Sequence, residues 1–559
     1  MPPPPDIRGI YRSDSRARAA YAEGAGIYRI IPQAVCLPAD IEDLKGLISW
    51  AATHRVPLVP RGAGSAMAGG NVGDGVVVDL TRMPRRLEVD GASARAVTSA
   101  CVTHTELNQA AARHGFRLPP DPSSGRWATL GGMVSTNAAG AKSVRYGSVR
   151  RWVQGLSLVT ADGESVSLRR GSGGRIPADS AALARFESDA APALHNASEL
   201  IASRFPRTRK NSSGYALDAY LASGDVLELL IGAEGTLGVI TGIEWRLDAV
   251  PTHRAGLRVS LSSLDHLGKV VAALNHCEPS ALELLDRTFL DLLEAGSLAA
   301  AGLAPGSEAI LLVELERGDR GRLKRDVDGA AAAVRPWADS TAAAFSLPEA
   351  ERLWSIRHAA SPILAGLPED RRSLQVIEDA CVPLDAMGEY ISLVRRAGAE
   401  RHLSVVMFGH AGDGHVHVNL LPQLARPGWE SDVASLLEEV TEAVVRLGGT
   451  PSGEHGDGRL RSATLGRVYG ADIVELFHRV KRAFDPLGIL NPGIILPSGE
   501  PPISRLKVGA NAASLPPDIQ LALREIESAG GYGRCRLDLA GEAGSQESGV
   551  RSSEPPTGP

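Results

Sequence analysis

The segment PRGAGSAMAGG (60–70) places the strongest constraint on the fold, because it ends an apolar run, VPLVPRG (56–62), that is typical of a buried strand. The Rossmann fingerprint GxGxxG would need a third glycine where Met67 stands, so the segment departs from that pattern. Two alternatives stay open for the segment by itself. It is either a loop of consecutive backbone N–H groups that cradles a pyrophosphate, or an ordinary glycine-rich turn.

Two further glycine-rich stretches favour the first alternative. They are PPDPSSGRWATLGGMVSTNAAGAKSVRYGSV (119–149) and IGAEGTLGVIT (231–241), and the second interrupts what would otherwise be a strand. Glycine weakens a strand unless another backbone or a ligand approaches closely. A flat, elongated, phosphate-bearing ligand that lies along a β scaffold explains all of these stretches together.

Composition limits the class of protein. The chain has 559 residues, which predicts two or three domains, and 43% of them are hydrophobic, which is enough for large cores. Lys plus Arg is 59 and Asp plus Glu is 65, so the chain lacks the excess of basic residues that nucleic-acid binding requires. The five cysteines are scattered, which argues against a disulfide framework and against an iron–sulfur cluster held by this chain alone.

No targeting or membrane segment is visible. The N-terminal residues MPPPPDIRGIYRSDSRARAAY contain no apolar stretch of the signal-peptide type, and no run of about 18 apolar residues occurs. We therefore expect a soluble, cytoplasmic protein, with peripheral attachment to a membrane left open.

The chain divides into segments of different character. An N-terminal polar arm is expected over 1–29, and residues 30–250 alternate short strands and helices. Residues 251–452 predict an α+β domain with an antiparallel sheet, and the tail 498–559 is rich in Pro, Ser and Gly and largely disordered. Individual predictions are helices over 41–54, 320–334, 430–448 and 518–531, strands over 75–80, 309–316, 403–410 and 415–421, and a hairpin over 152–168 that turns at Asp162-Gly163.

Histidines and carboxylates are concentrated in GHAGDGHVHVN (409–419) and SGEHGDGR (452–459). His415, His417 and Asn419 alternate along one strand and so share a face, and the tight AGDG connection brings His410 close to His417. Glu454 can complete a site of two histidines and a carboxylate with open positions, and His455 can stand beside it as a general base. The alternative is a set of hydrogen-bonded core histidines, but three histidines within eight residues favour a functional site. His415 fits a supporting role behind the ligands.

Arg357 lies in ERLWSIRHAAS on a predicted helix. It can bind a substrate carboxylate through two parallel hydrogen bonds, or it can form a surface or interdomain ion pair. The sequence leaves both possibilities open.

These motifs resemble those of the FAD-linked D-2-hydroxyacid dehydrogenases, the family of D-lactate dehydrogenase, the glycolate oxidase flavoprotein subunit and D-2-hydroxyglutarate dehydrogenase. The resemblance runs from about residue 30 to residue 496. PRGAGSAMAGG resembles the pyrophosphate loop of the family, ATLGGMVSTNAAG, GAEGTLGVIT and NPG (491–493) resemble its other FAD contacts, and GHAGDGHVHVN and GEHGDG resemble its metal and catalytic signatures.

The resemblance implies a fold and a cofactor. The fold would be α+β, with a two-subdomain PCMH-type (vanillyl-alcohol-oxidase-like) FAD-binding domain over 30–250, a substrate or cap domain over 251–452, and a segment over 453–497 that returns to the FAD site. FAD would be non-covalent, since the first loop has Ser65 and Ala66 and no histidine or cysteine. The implied FAD contacts are Arg61, Gly62, Ala63, Gly64, Ser65, Gly69, Pro120, Thr129, Gly131, Gly132, Ser135, Asn137, Gly140, Gly147, Glu234, Gly235, Gly238, Val239, Ile240 and Asn491.

The resemblance also implies a reaction. His410, His417 and Glu454 would hold a divalent metal, zinc or manganese, while His455, Arg357 and Asn419 would act on the substrate. The substrate would be a D-2-hydroxy acid such as D-lactate, glycolate or D-2-hydroxyglutarate, and the product its 2-oxo acid.

The electron acceptor is expected to be a separate molecule, namely a quinone, an electron-transfer flavoprotein or an iron–sulfur protein. VIEDACVP (376–383) is most similar to members fused to an iron–sulfur region, whereas Cys535 is the only cysteine in this tail. Three alternatives stay open: a FAD-binding subunit that needs an iron–sulfur partner for turnover, a metal-dependent hydrolase with structural glycine loops, and an oxidase of sugars or lactones. The histidine signature argues against the last.

Overall fold

The structure is a computed structural model that describes residues 2–171, 180–293, 306–358 and 360–541. Within these ranges the strands are β1 (Ile10–Arg12), β2 (Ala34–Leu37), β3 (Leu58–Arg61), β4 (Val76–Asp79), β5 (Leu87–Asp90), β6 (Arg95–Ser99), β7 (Phe116–Arg117), β8 (Val153–Val159), β9 (Ser165–Arg169), β10 (Val239–Arg246), β11 (Asp248–Ala249), β12 (His253–Leu261), β13 (Ala281–Asp286), β14 (Ala309–Arg317), β15 (Ser340–Ala344), β16 (Ala380–Cys381), β17 (Ser404–Gly409) and β18 (His415–Leu421).

Helices connect and cover these strands. The α-helices of the described ranges are Ser15–Ala20, Ile41–His54, His104–Ala112, Leu130–Ser135, Ser143–Tyr146, Ala181–Arg185, Ala191–Asn196, Ser198–Arg204, Leu217–Ser223, Leu227–Leu230, Leu267–Asn275, Arg287–Leu290, Arg320–Val334, Leu347–His358, Ala360–Ala365, Met387–Glu400, Trp429–Arg446, Gly458–Ser462, Leu465–Tyr469, Ala471–Phe484 and Pro517–Ala529. None of these helices combines the length and the apolar character needed to cross a bilayer.

The first sheet presents the glycine segment 60–70 at its edge. Its order is β1-β2-β4-β3, and β2 and β3 both run parallel to β4. The crossover between β2 and β3 contains the predicted helix Ile41–His54. Asp40 caps its N-terminus, and the Asp40 side chain accepts hydrogen bonds from the backbone N–H groups of the first turn. Leu44, Leu47 and Ile48 of this helix pack on the sheet, so β3 is fixed where it enters the glycine loop.

A second, antiparallel sheet lies beside the first in the order β5-β6-β10-β8-β9. The predicted hairpin is confirmed, since β8 pairs with β9 and Gly163 adopts the positive φ of 76° that the tight turn needs. The third glycine stretch leads into the central strand β10 of this sheet, whereas the first glycine stretch follows β3 of the first sheet.

The third sheet has seven strands in the order β15-β12-β14-β13-β17-β18-β16. Every pair within it is antiparallel, which confirms the predicted α+β domain with an antiparallel sheet. Helices Leu267–Asn275, Arg320–Val334, Met387–Glu400 and Trp429–Arg446 contribute to its main core. In register, Phe408 faces His417 and Leu284 faces Gly409, so β13, β17 and β18 meet where the histidine motif begins.

Both ends of the chain differ from expectation. The prediction of a polar arm over 1–29 is wrong for residues 10–29, because β1 pairs with β2 and the helix Ser15–Ala20 buries Ala17, Ala19 and Ala20. Four small alanines of that helix and the residues after it allow close packing, a feature that hydrophobic periodicity does not register.

The tail 498–559 was expected to be largely disordered, and this is wrong for residues 505–541. Helix Pro517–Ala529 buries Ile519, Leu523 and Ile526 in a core shared with the N-terminal helix. Glu527 of that helix pairs with Arg372 and with Lys507, the latter at 2.9 Å. The tail therefore packs against parts of the same chain that are distant in sequence. Residues 542–559 lie outside the described ranges.

A buried ionic contact joins the sheets. Glu316 of β14 accepts hydrogen bonds from Arg117 at 2.8 and 2.9 Å, from Lys142 at 2.7 Å and from the Tyr146 hydroxyl at 2.6 Å. Although burial favours the neutral acid, Arg117 and Lys142 lower the pKa of Glu316 to about 2. The carboxylate is therefore charged and fully paired, and it links the seven-stranded sheet to the part of the chain that bears the second glycine stretch.

Candidate active site

One cavity of about 1400 Å³ joins the two groups of motifs that the sequence singles out. Its walls include residues of all three glycine stretches together with His410, His417, Glu454 and His455. The sheets converge on this space, so residues separated by almost 400 positions face one ligand volume.

The glycine stretches are packed so closely that side chains are excluded. A Cβ on Gly62 would lie 2.2 Å from the Oγ1 atom of Thr129, and one on Gly131 would lie 2.7 Å from the Cβ of Ala100. Gly64, with a φ of 80°, also adopts the left-handed backbone that favours glycine. These glycines bring the first two stretches into contact and leave backbone groups on the cavity wall.

Fifteen of the twenty expected FAD contacts line the cavity. They are Arg61, Gly62, Ala63, Gly64, Ser65, Thr129, Gly131, Gly132, Ser135, Gly140, Glu234, Gly235, Gly238, Val239 and Ile240.

The other five expected contacts do not line it: Gly69, Pro120, Asn137, Gly147 and Asn491. Gly69 lies under the ring of Tyr28, where a Cβ would come within 2.5 Å. Asn491 donates to the carbonyls of Gly70 and Glu234, at 2.9 and 2.8 Å, and so holds two stretches together from behind.

The cavity fits a large flavin nucleotide. Its volume of about 1400 Å³ exceeds that of an ordinary small-molecule site, and its wall is rich in glycine, alanine, serine and threonine, which leave backbone groups accessible. The Oδ1 atom of Asn71, a buried residue on this wall, accepts no hydrogen bond from the described residues. Because a buried acceptor without a partner is costly, this atom is suited to accept a hydrogen bond from a bound ligand.

The β17–β18 pairing brings His410 and His417 together. Their Nε2 atoms lie 3.3 Å apart, and Oε1 of Glu454 lies 3.0 Å from the first and 3.6 Å from the second. Ligand atoms about 2.1 Å from a tetrahedral metal ion are about 3.4 Å from one another. The three atoms therefore have the spacing of a metal-ligand set.

Outer contacts orient both imidazoles. Nδ1 of His410 lies 2.6 Å from Oε1 of Glu283, and Nδ1 of His417 donates to the Glu378 carbonyl at 2.8 Å. Because Nδ1 of each ring is bound in this way, both Nε2 atoms face each other and Glu454. Carboxylates and carbonyls in this position are typical of metal-bound histidines, so the donor set fits a divalent cation.

Glu454 is held by groups from distant segments. Its Oε2 atom accepts from the Lys210 ammonium and from the backbone N–H of Gly140, both at 2.8 Å. Although burial favours the neutral acid, Lys210 and His410 hold the pKa of Glu454 well below its usual range. A charged oxygen is thus presented to the two imidazoles.

His415 is completely buried and does not line the cavity. Its Nε2 atom lies 2.9 Å from Oδ1 of Asp379, and its Nδ1 atom lies 3.3 Å from Lys210. Burial, with help from Lys210, lowers the pKa of His415 to about 3. The ring is therefore neutral and lies behind the ligand set, in the supporting position expected for it.

His455 stacks on His417, with ring centroids 5.3 Å apart and planes 16° from parallel. Nδ1 lies 2.6 Å from Oε2 of Glu378, whose other oxygen accepts from Arg461 at 2.6 Å. Although burial opposes the charged ring, Glu378 and Asp379 raise the pKa of His455 to about 10. The imidazole is therefore protonated at neutral pH, and its use as a base requires a further positive charge nearby.

Arg357 and Asn419 both line the cavity. Nε of Arg357 donates to Oε2 of Glu283 at 2.7 Å, and the guanidinium lies 4.7 Å from the centroid of the Phe408 ring. The Asn419 Oδ1 atom accepts from the Ser373 hydroxyl at 3.0 Å. Because Glu283 also contacts His410, it couples the arginine to the candidate metal site.

Sequence reasoning missed the charged residues that support the cluster. Glu378 and Asp379 lie in VIEDACVP, where two acids inside an apolar run are a signal of buried, paired carboxylates. Glu283 in ALELLD and Lys210 carry no local signal, because their partners come from other sheets and loops. The complete set of missed residues is Lys210, Glu283, Glu378, Asp379 and Arg461.

Two family models match successive parts of the chain. Residues 32–169 match the FAD binding domain family, and residues 250–495 match the family of FAD linked oxidases, C-terminal domain. A D-lactate dehydrogenase of Archaeoglobus fulgidus is 30% identical over 465 residues, which cover 83% of this chain and 91% of that protein. A glycolate oxidase subunit of Bacillus subtilis is 28% identical over 471 residues, covering 83% and 89%.

The fold is also found among solved structures. p-Cresol methylhydroxylase aligns over 88% of this chain and 94% of its own, with a TM-score of 0.65 and 14% sequence identity. At that identity the likeness concerns the fold alone, and it confirms the expected PCMH-type architecture.

Proposed function

Because this chain belongs to the family of FAD-linked oxidases, we propose that it oxidises a D-2-hydroxy acid to the corresponding 2-oxo acid. One observation carries the proposal: a single cavity contains both the glycine-lined wall and the cluster of His410, His417 and Glu454. Two of the relatives are named D-lactate dehydrogenase and glycolate oxidase subunit, and lactate and glycolate are both 2-hydroxy acids.

FAD binding is supported by the matched family and by the shape of the cavity. The backbone around Gly62, Gly64 and Gly131 would hold its diphosphate, and Ser65 and Ala66 offer no side chain for a covalent link to the flavin. Bound FAD would supply the acceptor for the hydride that leaves the substrate's Cα.

We assign a divalent cation, zinc or manganese, to His410, His417 and Glu454. Their spacing and the outer contacts from Glu283 and from the Glu378 carbonyl support this assignment. The cation would supply Lewis acidity toward the substrate's oxygens and positive charge that opposes protonation of His455.

The substrate carboxylate is assigned to Arg357 and its orientation to Asn419. Glu283 holds Nε of Arg357, which fixes the plane of the guanidinium at the cavity wall and favours two-point contact with a carboxylate. Oδ1 of Asn419 accepts a hydrogen bond from the Ser373 hydroxyl, and this contact fixes the rotamer of the amide. Its Nδ2 donors are then available to the substrate.

Proton removal from the substrate hydroxyl is assigned to Nε2 of His455. Its Nδ1–H group donates to Glu378, so the neutral ring has its free lone pair on Nε2. That atom lies 3.9 Å from Oε1 of Glu454, beside the candidate metal ligands. Glu378, in turn fixed by Arg461, stabilises the imidazolium that forms.

A separate electron acceptor completes the proposed reaction. The five cysteines are unpaired and far apart in sequence, and no described group of potential metal ligands includes one. A quinone, an electron-transfer flavoprotein and an iron–sulfur protein are the candidate acceptors.

The proposal is tested by turnover of the purified holoprotein with a redox dye as acceptor. D-lactate, glycolate, D-2-hydroxyglutarate and the available L-isomers are supplied singly, and the 2-oxo acid is quantified by chromatography. Formation of glyoxylate from glycolate, or of a 2-oxo acid from a D-isomer in preference to its L-isomer, supports the function. A panel in which no acid is oxidised, with flavin bound, would contradict it.

A further inference from the structure

The C-terminal segment forms part of the wall of the FAD cavity. Ser528, Ala529, Gly530 and Tyr532 all line it, and the centroid of the Tyr532 ring lies 6.2 Å from that of the neighbouring Trp127 ring. This segment lies beyond the last residue matched by the FAD-linked oxidase family, residue 495. The tail is therefore a part of the site that the family match does not describe.

Next to this wall lies a smaller recess of about 120 Å³. It shares Arg61, Gly62, Ala63 and Thr129 with the main cavity, so both spaces border the first glycine loop. The tail contributes Arg536 to the recess. The recess is large enough for a small anionic group such as a phosphate.

Arg536 is in an unusual position for an arginine. Only 4% of the residue is exposed, and its Nε and Nη1 atoms have no hydrogen-bond partner among the described residues. Its guanidinium lies 5.5 Å from the centroid of the Tyr532 ring, which is a weak contact for a buried charge. A buried cation with unsatisfied donors is costly unless an anion binds to it.

Other charges around the recess are predominantly positive. Arg61, Arg85 and Arg534 line it together with Arg536, whereas the carboxylate on its wall is Asp79. That carboxylate already accepts hydrogen bonds from Tyr21 and Thr81. Burial and the nearby Arg61 lower the pKa of Arg536 to about 10, so the guanidinium stays charged at neutral pH.

We propose that Arg536 is a phosphate-binding residue, supplied by the C-terminal segment, that contacts the diphosphate of FAD at the first glycine loop. The ligand class follows from the donors: a planar guanidinium and the backbone of Gly62 and Ala63 suit phosphate oxygens. The inference rests on the proposed function only in that both require bound FAD. Failure of the acid panel with flavin bound would therefore overturn the function and leave this inference standing.

The test compares the FAD affinity of the wild-type holoprotein with that of R536Q and R536K. Flavin fluorescence released on dilution measures the dissociation constant. R536Q should weaken FAD binding by about ten- to a hundredfold, the range expected when a hydrogen-bonded charge pair is lost, and R536K should retain part of the affinity. Riboflavin, which has no phosphate, should bind both variants as it binds the wild type.

R82Q is the matched control, because Arg82 pairs with Asp538 of the same segment, at 3.4 Å, and both side chains are about half exposed. This variant loses one contact of the tail without touching the recess, and its FAD affinity should be unchanged. Equal weakening by R82Q and R536Q would overturn the proposal, because the effect would then come from docking of the tail.

Thermal melting separates ligand binding from a structural role. R536Q should lower the melting temperature of the FAD-bound protein but leave that of the apoprotein equal or higher, because it removes an unpaired buried charge. An equal fall in both forms would overturn the proposal. The proposal would also be overturned if R536Q kept the wild-type affinity for FAD while inorganic phosphate no longer stabilised its apoprotein. In that case the recess would bind a free anion and not the diphosphate of FAD.

Discussion

At the scale of single residues, hydrogen-bonded neighbours decide what each histidine can do. His410 and His417 direct their Nε2 atoms at each other because Glu283 and the Glu378 carbonyl bind their Nδ1 atoms. His415, with the same ring, is neutral and lies behind them. Residue type and spacing predicted the cluster, whereas these distinct environments depend on partners that the local sequence does not contain.

Replacing His417 should abolish metal binding. In H417A one nitrogen ligand is lost, and elemental analysis of the purified protein should show the metal content fall from near stoichiometric to near zero. H195A is the control, because His195 lies at an exposed helix end and hydrogen-bonds its own helix. Full metal content in H417A would exclude this residue as a ligand.

Replacing His455 should separate cofactor binding from chemistry. We expect H455A to keep FAD bound and to slow flavin reduction by the substrate by about a hundredfold or more, as is typical for loss of a general base. Stopped-flow absorbance measures the rate under anaerobic conditions. A variant that reduces its flavin at nearly the wild-type rate would remove His455 from the mechanism.

At the scale of elements, periodicity located strands and helices better than it located their partners. Helix Arg320–Val334 and strand His415–Leu421 have the predicted bounds, and helix Pro517–Ala529 lies within two residues of its prediction. Sheet order was not predicted, because pairing between β13 and β17 joins segments more than a hundred residues apart. That pairing brings Glu283 to His410, and it therefore explains why Glu283 was missed.

The turn between β17 and β18 depends on Gly414. Its φ is 75°, and a Cβ there would lie 2.0 Å from the Val382 carbonyl oxygen. G414A should lower the free energy of unfolding by more than the roughly 1–3 kcal/mol that backbone strain costs alone, and it should reduce bound metal by displacing His415 and His410. Chemical denaturation and elemental analysis measure the two effects.

The comparison variant is G428A. Gly428 also has a positive φ, 84°, but no atom lies within 4 Å of an added Cβ. G428A therefore measures the effect of backbone strain without a steric clash of the added Cβ. If both variants lose the same stability and keep their metal, the close packing under this turn does not position the site.

At the scale of the whole molecule, the family resemblance predicted the architecture and the sequence pattern did not predict how the ends of the chain pack. The N-terminal helix is rich in alanine, and the tail is rich in Pro, Ser and Gly, so neither has a strong hydrophobic signal. Each buries its few apolar side chains against the other. Local composition cannot reveal such a mutual surface, and the tail's contribution to the cavity was missed for the same reason.

Glu316 should make stability depend on pH. Its pKa is about 2 in the folded protein and near 4.5 when unpaired, so its stabilising effect is complete above about pH 4.5 and is lost as the pH falls toward 2. E316Q should therefore be less stable than the wild type at pH 6, and the difference should shrink between pH 5 and pH 3. Urea denaturation at each pH measures it, and a difference that stays constant would contradict the assigned pKa.

The central claim is that one cavity holds a flavin and a metal-bound 2-hydroxy acid together. The most direct test is the anaerobic absorbance spectrum of the holoprotein during addition of each D-2-hydroxy acid, before and after removal of the metal by a chelator. One acid should bleach the flavin band, chelation should abolish the bleaching, and added zinc or manganese should restore it. A flavin that stays oxidised with every acid, or bleaching that is unaffected by metal removal, would show that flavin and metal do not act together on a 2-hydroxy acid in this cavity.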